Sequence, residues 1–158
     1  MKKEIQWISI LFFALLLSTH NTFGQSHHLG IKIGYQSNRT AELGVGYAYS
    51  IWEKGSVAPG LMLSPAIGVE HMHHSERNIV GAKMSLEAYY IFFAGRVNII
   101  RYEADTQIDM RLRPEIGLSF FGLGNVFYGY NIPLSKVQLS EIQGHKISFL
   151  INIPLKEL

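Results

Sequence analysis

The sequence has no cysteine, so neither a disulfide nor the acylated thiol of a lipoprotein is available to staple or anchor the chain. Charge is scarce as well. Asp, Glu, Lys and Arg make up 16% of the 158 residues, against roughly 25% in an ordinary soluble domain. Neither sign prevails: setting aside Lys2, Lys3 and Glu4 leaves 12 Lys and Arg against 11 Asp and Glu. Such a balance offers a polyanion nothing to hold, which excludes nucleic acid as a natural partner. A spanning helix needs about 20 apolar residues, and none is present, because the one greasy run, 8–17, is closed by Ser18, Thr19, His20 and Asn21.

That run has the form of an export signal instead. Lys2 and Lys3 precede it, and Thr22, Phe23 and Gly24 lead to a cleavage site before Gln25. Residues 1–24 are expected to be a signal peptide, and 25–158 a single domain.

Within that domain the pattern is clearest in 109–131. From Met110 to Phe120 the even positions are Met110, Leu112, Pro114, Ile116, Leu118 and Phe120, and the odd ones Arg111, Arg113, Glu115, Gly117 and Ser119. A helix would scatter these over every side, whereas a strand sorts them onto two faces. Residues 122–125 supply a turn, and Val126, Tyr128, Tyr130 and Ile132 resume the alternation in an antiparallel partner.

The same scheme recurs along the chain. Leu29, Ile31, Ile33 and Tyr35 oppose Lys32 and Gln36, and Leu43, Val45, Tyr47, Tyr49 and Ile51 oppose Glu42. Leu61, Leu63, Pro65, Ile67 and Val69 oppose Glu70. Val80, Ala82, Met84, Leu86, Ala88 and Tyr90 oppose Lys83 and Glu87. Val97 and Ile99 oppose Arg96 and Asn98 before the phase blurs at Ile100 and Arg101, and Ile147, Phe149, Ile151, Ile153 and Leu155 oppose Lys146 and Ser148. The stretch 79–103 is too long for one strand of about 3 to 10 residues, and its one turn signal, Ala94-Gly95, places the split near 93–95. Eight alternating segments without helical periodicity predict an all-β, eight-stranded, antiparallel up-and-down barrel. Pro65 and Pro114 lack a ladder donor, so local bulges are expected there. Gly44 and Gly46 precede no helix and therefore suit packing in a narrow lumen better than a nucleotide loop.

Alternation alone does not say which face is inside. A soluble carrier hides its apolar face, and an outer-membrane barrel turns it toward lipid. Three features favour the second. The polar face is mostly Gly, Ala and Ser interrupted by Lys32, Glu42, Glu70, Lys83, Glu87, Arg96, Arg111, Arg113, Glu115 and Lys146. Long charged side chains between small ones suit a closed lumen, where they interlock as ion pairs and leave a plug rather than a channel. Aromatic residues gather at three alternate turns, including Tyr89, Phe93, Phe121 and Phe127. A girdle of Tyr47, Tyr49, Trp52, Tyr90, Phe92, Phe120 and Tyr128 is read from them. The expected export signal leads to a compartment bounded by an outer membrane.

The FGQ ending of the leader, the glycine-rich first hairpins and the segment RPEIGLSFFGLGNVFYGYNIPL resemble the small eight-stranded outer-membrane β-barrel proteins of Gram-negative bacteria, of the outer membrane protein A and X type. The resemblance covers 25–158 and implies a fold rather than a reaction. That family commonly ends in an aromatic residue, whereas this chain ends Pro154-Leu155-Lys156-Glu157-Leu158, with Phe149 the nearest aromatic in register.

Chemical candidates are few. His71, His73 and His74 are a weak metal candidate, two of them sharing a side of an extended chain, and they are expected in a solvated loop. Ser75 and His145 are a remote composite hydrolase pair, since adjacent residues cannot form a relay. The loops 37–40, 71–78, 103–107 and 133–144 should face outward. The chain is thus expected to be a monomeric, non-enzymatic protein of the outer membrane, without cofactor, in a structural or surface-interaction role. Its partners would be outer-membrane lipids, lipopolysaccharide and, during biogenesis, the barrel-insertion machinery. The alternatives are a lipid-modifying barrel enzyme and a soluble periplasmic barrel that binds an apolar ligand.

Overall fold

Period-two alternation is realised as nine strands: β1 (Gln25–Gln36), β2 (Thr40–Ile51), β3 (Met62–His74), β4 (Arg77–Tyr90), β5 (Phe93–Ala104), β6 (Gln107–Phe120), β7 (Gly124–Tyr130), β8 (Ile132–Pro133) and β9 (His145–Glu157). The computed structural model describes residues 25–51, 61–74, 77–120 and 122–157. The expected signal peptide, Trp52, Ser75 and Phe121 lie outside the described residues.

Every neighbouring pair is antiparallel, and β1 pairs with β9 to close the sheet. β7 and β8 share one register along β6, Glu115 opposite Gly129 and Leu112 opposite Ile132, so together they form a single stave. The result is a closed barrel of eight antiparallel staves, with no helix among the described residues. Its stagger follows from the pairing. A path from Ser26 through Ser50, Met62, Tyr89, Ala94, Gly117, Phe127 and Ser148 returns to β1 at Gln36, ten residues further on. Ten residues of about 3.3 Å against eight strand spacings of about 4.7 Å give a tilt of about 41°, so each residue advances about 2.5 Å along the axis.

The barrel has two distinct ends. At the loop end the β1–β2 ladder closes at Gln36 opposite Thr40, and Ser37, Asn38 and Arg39 make a three-residue hairpin turn in which Asn38 and Arg39 (φ 66° and 53°) are left-handed. Asp105 and Thr106 form another turn, and segment 134–144 joins β8 to β9. The other, terminal end carries the turns at 91–92 and 122–123 and the outer ends of β1 and β9.

The β4–β5 turn corrects the sequence expectation. The chain reverses at Ile91 and Phe92, with Ile91 at φ 52°, and Ala94 and Gly95 already belong to β5. Paired regularly, they bring Arg96 opposite Glu87, a match that a turn at 93–95 would have destroyed. β3 likewise continues through His74, which pairs with Arg77, so the histidines expected in a loop lie in a strand.

No bulge forms at Pro65 or Pro114. The register is constant past both, and the missing donor is absorbed as a gap in one ladder. The β2–β3 pairing skips the residues opposite Pro65, and the β6 pairing skips from Glu115 to Leu112. The bulge instead lies in the closing seam. Leu29 pairs with Lys156 and Gly30 with Pro154, leaving Leu155 unpaired.

The interior is filled by long side chains lying over glycines. A Cβ on Gly81 would stand 2.7 Å from the Tyr102 ring, and one on Gly46 or Gly129 would collide with Lys32 or Glu115.

Candidate functional site

Strand parity decides which side chains enter the barrel, and it turns every charged residue of the polar face inward. Lys32, Glu42, Glu70, Lys83, Glu87, Arg96, Arg111, Arg113, Glu115 and Lys146 are all buried. The stagger then brings together groups from strands that are not neighbours.

Glu70 on β3 is the hub. It accepts from both Nη atoms of Arg113, from Gln36 Nε2 at 2.8 Å and from Tyr102 Oη at 2.7 Å, and Lys83 Nζ lies 3.3 Å away. Glu42 pairs with Lys83 and with Arg96 (3.2 Å), and accepts from Gln36 Nε2 at 2.7 Å. Arg96 also binds Glu115, whose remaining capacity is taken by Asn98 Nδ2 and Ser148 Oγ, each at 2.8 Å. Lower in the barrel, Lys32 Nζ donates to Glu87 Oε2 at 2.7 Å, and Tyr89 donates to the same carboxylate. Lys146 Nζ donates to Thr40 Oγ1 at 3.0 Å. A charge taken out of water is costly unless paired and hydrogen-bonded, and this lattice meets that condition for most of its members.

Gln36 and Asn98, read on the polar face, join the network as uncharged members, whereas Tyr102, buried in the same network, and Asp109, buried in a separate pair with Arg111, escaped the sequence reading. Parity could have found them, since Asp109 shares its face with Arg111 and Arg113. Tyr89 and Phe127, grouped above with the turn aromatics, also point inward, and the Arg96 guanidinium sits 4.5 Å from the Phe127 ring centroid.

Apolar clusters close the network at both ends. Tyr89, Ala94, Phe127, Leu150 and the half-buried Met62 pack together at the terminal end. At the loop end Met72, Ile79, Ile100, Tyr102 and Ala104 pack against Leu139 and Ile142, which come from segment 134–144. That segment therefore does not simply project outward: it folds over the mouth. Asp109 Oδ2 accepts the Leu139 backbone N–H at 2.9 Å and Asp109 also binds Arg111, while Arg77 bridges Asp105 (2.8 Å) and Glu141 (2.7 Å) across the rim. The Glu141 backbone N–H, with the Ser140 hydroxyl and the Arg77 guanidinium, holds the Glu141 carboxyl below the usual carboxylate range.

The outer face has the opposite character. Ile116 is 72% exposed, Phe149 56% and Val45 46%, whereas Arg113 is 0% exposed. From Leu29 to Tyr35 on β1, Leu63 to Val69 on β3, Phe93 to Ile99 on β5 and Phe120 to Ile108 on β6, no outward-facing residue is charged. Beyond that band, toward the loop end, stand exposed His71 and His73 and the surface pair Arg101–Glu103 at 2.6 Å.

Of the girdle residues, Tyr90, Phe92 and Phe120 are exposed at the terminal end, where Tyr47 and Tyr49 are half-buried. Tyr128 stands apart, further up β7, with its hydroxyl 2.6 Å from His145 Nδ1. His145 is thereby engaged on the outer surface. His73 Nδ1 contacts Asn78 Oδ1 at 2.9 Å, and among the described residues no three His, Cys, Asp or Glu side chains converge as a metal site.

Fold and interior together define a class: a closed eight-stave antiparallel β-barrel with an ion-paired core and an apolar exterior. No protein-family model matches the chain, and no curated protein matches its sequence.

Proposed function

We propose that this chain is a non-enzymatic outer-membrane β-barrel protein, a structural or surface-interacting component of the cell envelope whose lumen is sealed by its own side chains. The observation that carries this reading is the inverted polarity, with large aliphatic and aromatic residues exposed over the whole circumference and Glu70, Glu87 and Arg113 fully buried. In water that arrangement would leave an apolar surface far larger than a monomeric soluble protein tolerates. In a bilayer it is what the solvent demands, since closure leaves the sheet no free edge and the outer face meets acyl chains.

The interior argues against the alternatives. A carrier of apolar ligands needs an apolar cavity, and here the lumen is occupied by paired charges and glycine-nested side chains. Bulk porin activity is equally disfavoured, because open channels belong to barrels of about 16 strands. A lipid-modifying enzyme would need a nucleophile and base held together, and His145 is committed to Tyr128 and Tyr130.

The test is fractionation of a Gram-negative host expressing the chain, followed by gel electrophoresis with and without boiling. Recovery in the outer membrane with a heat-dependent change in mobility is expected. Recovery in the soluble periplasmic fraction would refute the reading.

A further inference from the structure

Asp109 and Arg111 form a buried ion pair that stands apart from the Glu70 lattice. They lie two residues apart on the inner face of β6, with Arg111 Nε 3.0 and 2.9 Å from the two Asp109 oxygens. Among the described residues, every other side-chain hydrogen bond of the pair goes to segment 134–144. Ser135 Oγ and the Leu139 N–H donate to Asp109 at 3.2 and 2.9 Å, and Arg111 Nη2 donates to the Leu139 carbonyl at 3.4 Å. An ion pair is costly to bury, and apolar residues in its place are often no less stable. What this pair adds is recognition, since it reads both polar groups of one residue's backbone.

The Leu139 side chain enters a cup made by strands alone: Met72 on β3, Ile79 on β4, and Ile100, Tyr102 and Ala104 on β5. Ile142 joins it there, brought to the same side by a turn in which its N–H donates to the Leu139 carbonyl at 3.1 Å. Between them Glu141 accepts from Arg77 Nη1 at 2.7 Å on the rim. Backbone bonds fasten the segment at its ends, Leu134 to Met110 and Gly144 to Asn131, and from 135 to 143 its bonds to the rest of the barrel each involve a side chain. It lies on the mouth as a tethered ligand lies on a receptor.

We propose that the loop-end mouth is a peptide-recognition site, filled in this chain by its own residues 139–142, and that its partner is a polypeptide presenting the same turn: an aliphatic residue, an acidic residue two positions on, and a second aliphatic residue at the third. This gives the surface-interacting role above its partner class, and it rests on that reading. An acyl chain would fill the cup but would leave the Asp109 carboxylate without the donor that a peptide N–H supplies. The tethered segment competes with any such partner, whose apparent affinity is that of the open mouth multiplied by the fraction of molecules in which the mouth is open.

The probe is a fluorescein-labelled peptide of residues 136–144, titrated with the barrel in detergent micelles and read by fluorescence polarisation against empty micelles, with the unboiled mobility scoring the folded state. The double variant Leu139→Asn with Ile142→Asn empties the cup and should bind the peptide saturably. The unaltered chain, its mouth open in about a tenth of molecules or fewer, should bind at least about tenfold more weakly. A peptide methylated on the leucine nitrogen keeps the side chain and loses the donor, so it should bind the double variant about tenfold more weakly than its parent. If the double variant does not fold, Glu141→Gln, which releases only the Arg77 bridge, takes its place and should bind the peptide more tightly than the unaltered chain. Absence of saturable binding by the folded variant, or an N-methylated peptide that binds as well as its parent, overturns the site and leaves the membrane reading intact. Failure of the unaltered chain to fold in micelles would instead strike at the membrane reading, and this proposal would fall with it.

Discussion

Replacing Glu70 by Gln removes one charge from the centre of the barrel while preserving its shape. In the native arrangement both carboxylate oxygens are surrounded by donors: Arg113 on each, Gln36 and Lys83 beside one, Tyr102 on the other. Whichever way a glutamine amide is turned, its NH2 faces an Arg113 N–H instead of accepting from it. Two hydrogen bonds to a charged acceptor are then lost or reversed, each worth about 1.5–3 kcal/mol, and the one carboxylate left to Arg113 is Glu115, 3.7 Å from its Nε, beside the neutral acceptors Gln36 Oε1 and Tyr102 Oη, each at 3.3 Å. A destabilisation of about 3–5 kcal/mol follows, the usual cost of stripping one partner from a buried ion pair. It is a large share of the roughly 5–15 kcal/mol that holds a domain folded. Replacing the pair together, with Glu70→Met and Arg113→Met, should cost at least 2 kcal/mol less than the two single changes combined, because no orphan charge remains. Urea titration of the folded fraction in detergent micelles, read by mobility shift, measures Glu70→Gln, the two single methionine changes and their combination. A cost below about 1 kcal/mol for Glu70→Gln, the value of an exposed pair, would show that water reaches the network and would refute the sealed interior.

Three further outcomes are expected. Gly81→Val should destabilise by about 1–3 kcal/mol in the same titration, because its side chain would displace the Tyr102 ring from the loop-end cluster. Ile91→Gly should raise stability by about 1 kcal/mol, since a β-branched residue held at φ 52° is strained where glycine is not; an unchanged or lower midpoint would contradict this. The clasp on the mouth segment should be pH-dependent. The Glu141 carboxyl titrates lower folded than unfolded, so its contribution is present above the ordinary carboxylate range and is lost as pH falls through the depressed value. The protection of amides in 134–144, taken against the intrinsic exchange rate at the same pH, should therefore fall on acidification, and Glu141→Gln should keep it low at all pH values.

Strand number, the parity of each face and closure into a barrel were legible because period two is a local property that a few consecutive residues display. Legibility failed where polarity and position diverge. Ile100 faces inward because the lumen is apolar near its mouth, so the Ile100-Arg101 step looked like a lost phase when it was regular. The turn at Ile91 and Phe92 carries neither Gly, Asn nor Pro, and the glycine three residues later was the more persuasive signal. Segment 134–144 is polar enough to suggest a free loop, yet Leu139 and Ile142 dock into the mouth. The partners within the lumen were beyond sequence altogether. That Lys32 meets Glu87, and Arg113 meets Glu70, depends on the ten-residue stagger, which only the complete set of registers defines.

Seven of the eight seams join staves that follow one another in the chain and form as hairpins. The eighth, β1 to β9, unites the first strand with the last, so it must zip after everything between has been made. Until then the sheet carries two bare edges, the state in which one molecule is most prone to cross-pair with another. A slip of one residue in this final step would drive Lys32 outward and Ile33 inward. The unpaired Leu155 acts as a stop against such sliding: the ladder fits on both sides of it in one alignment only.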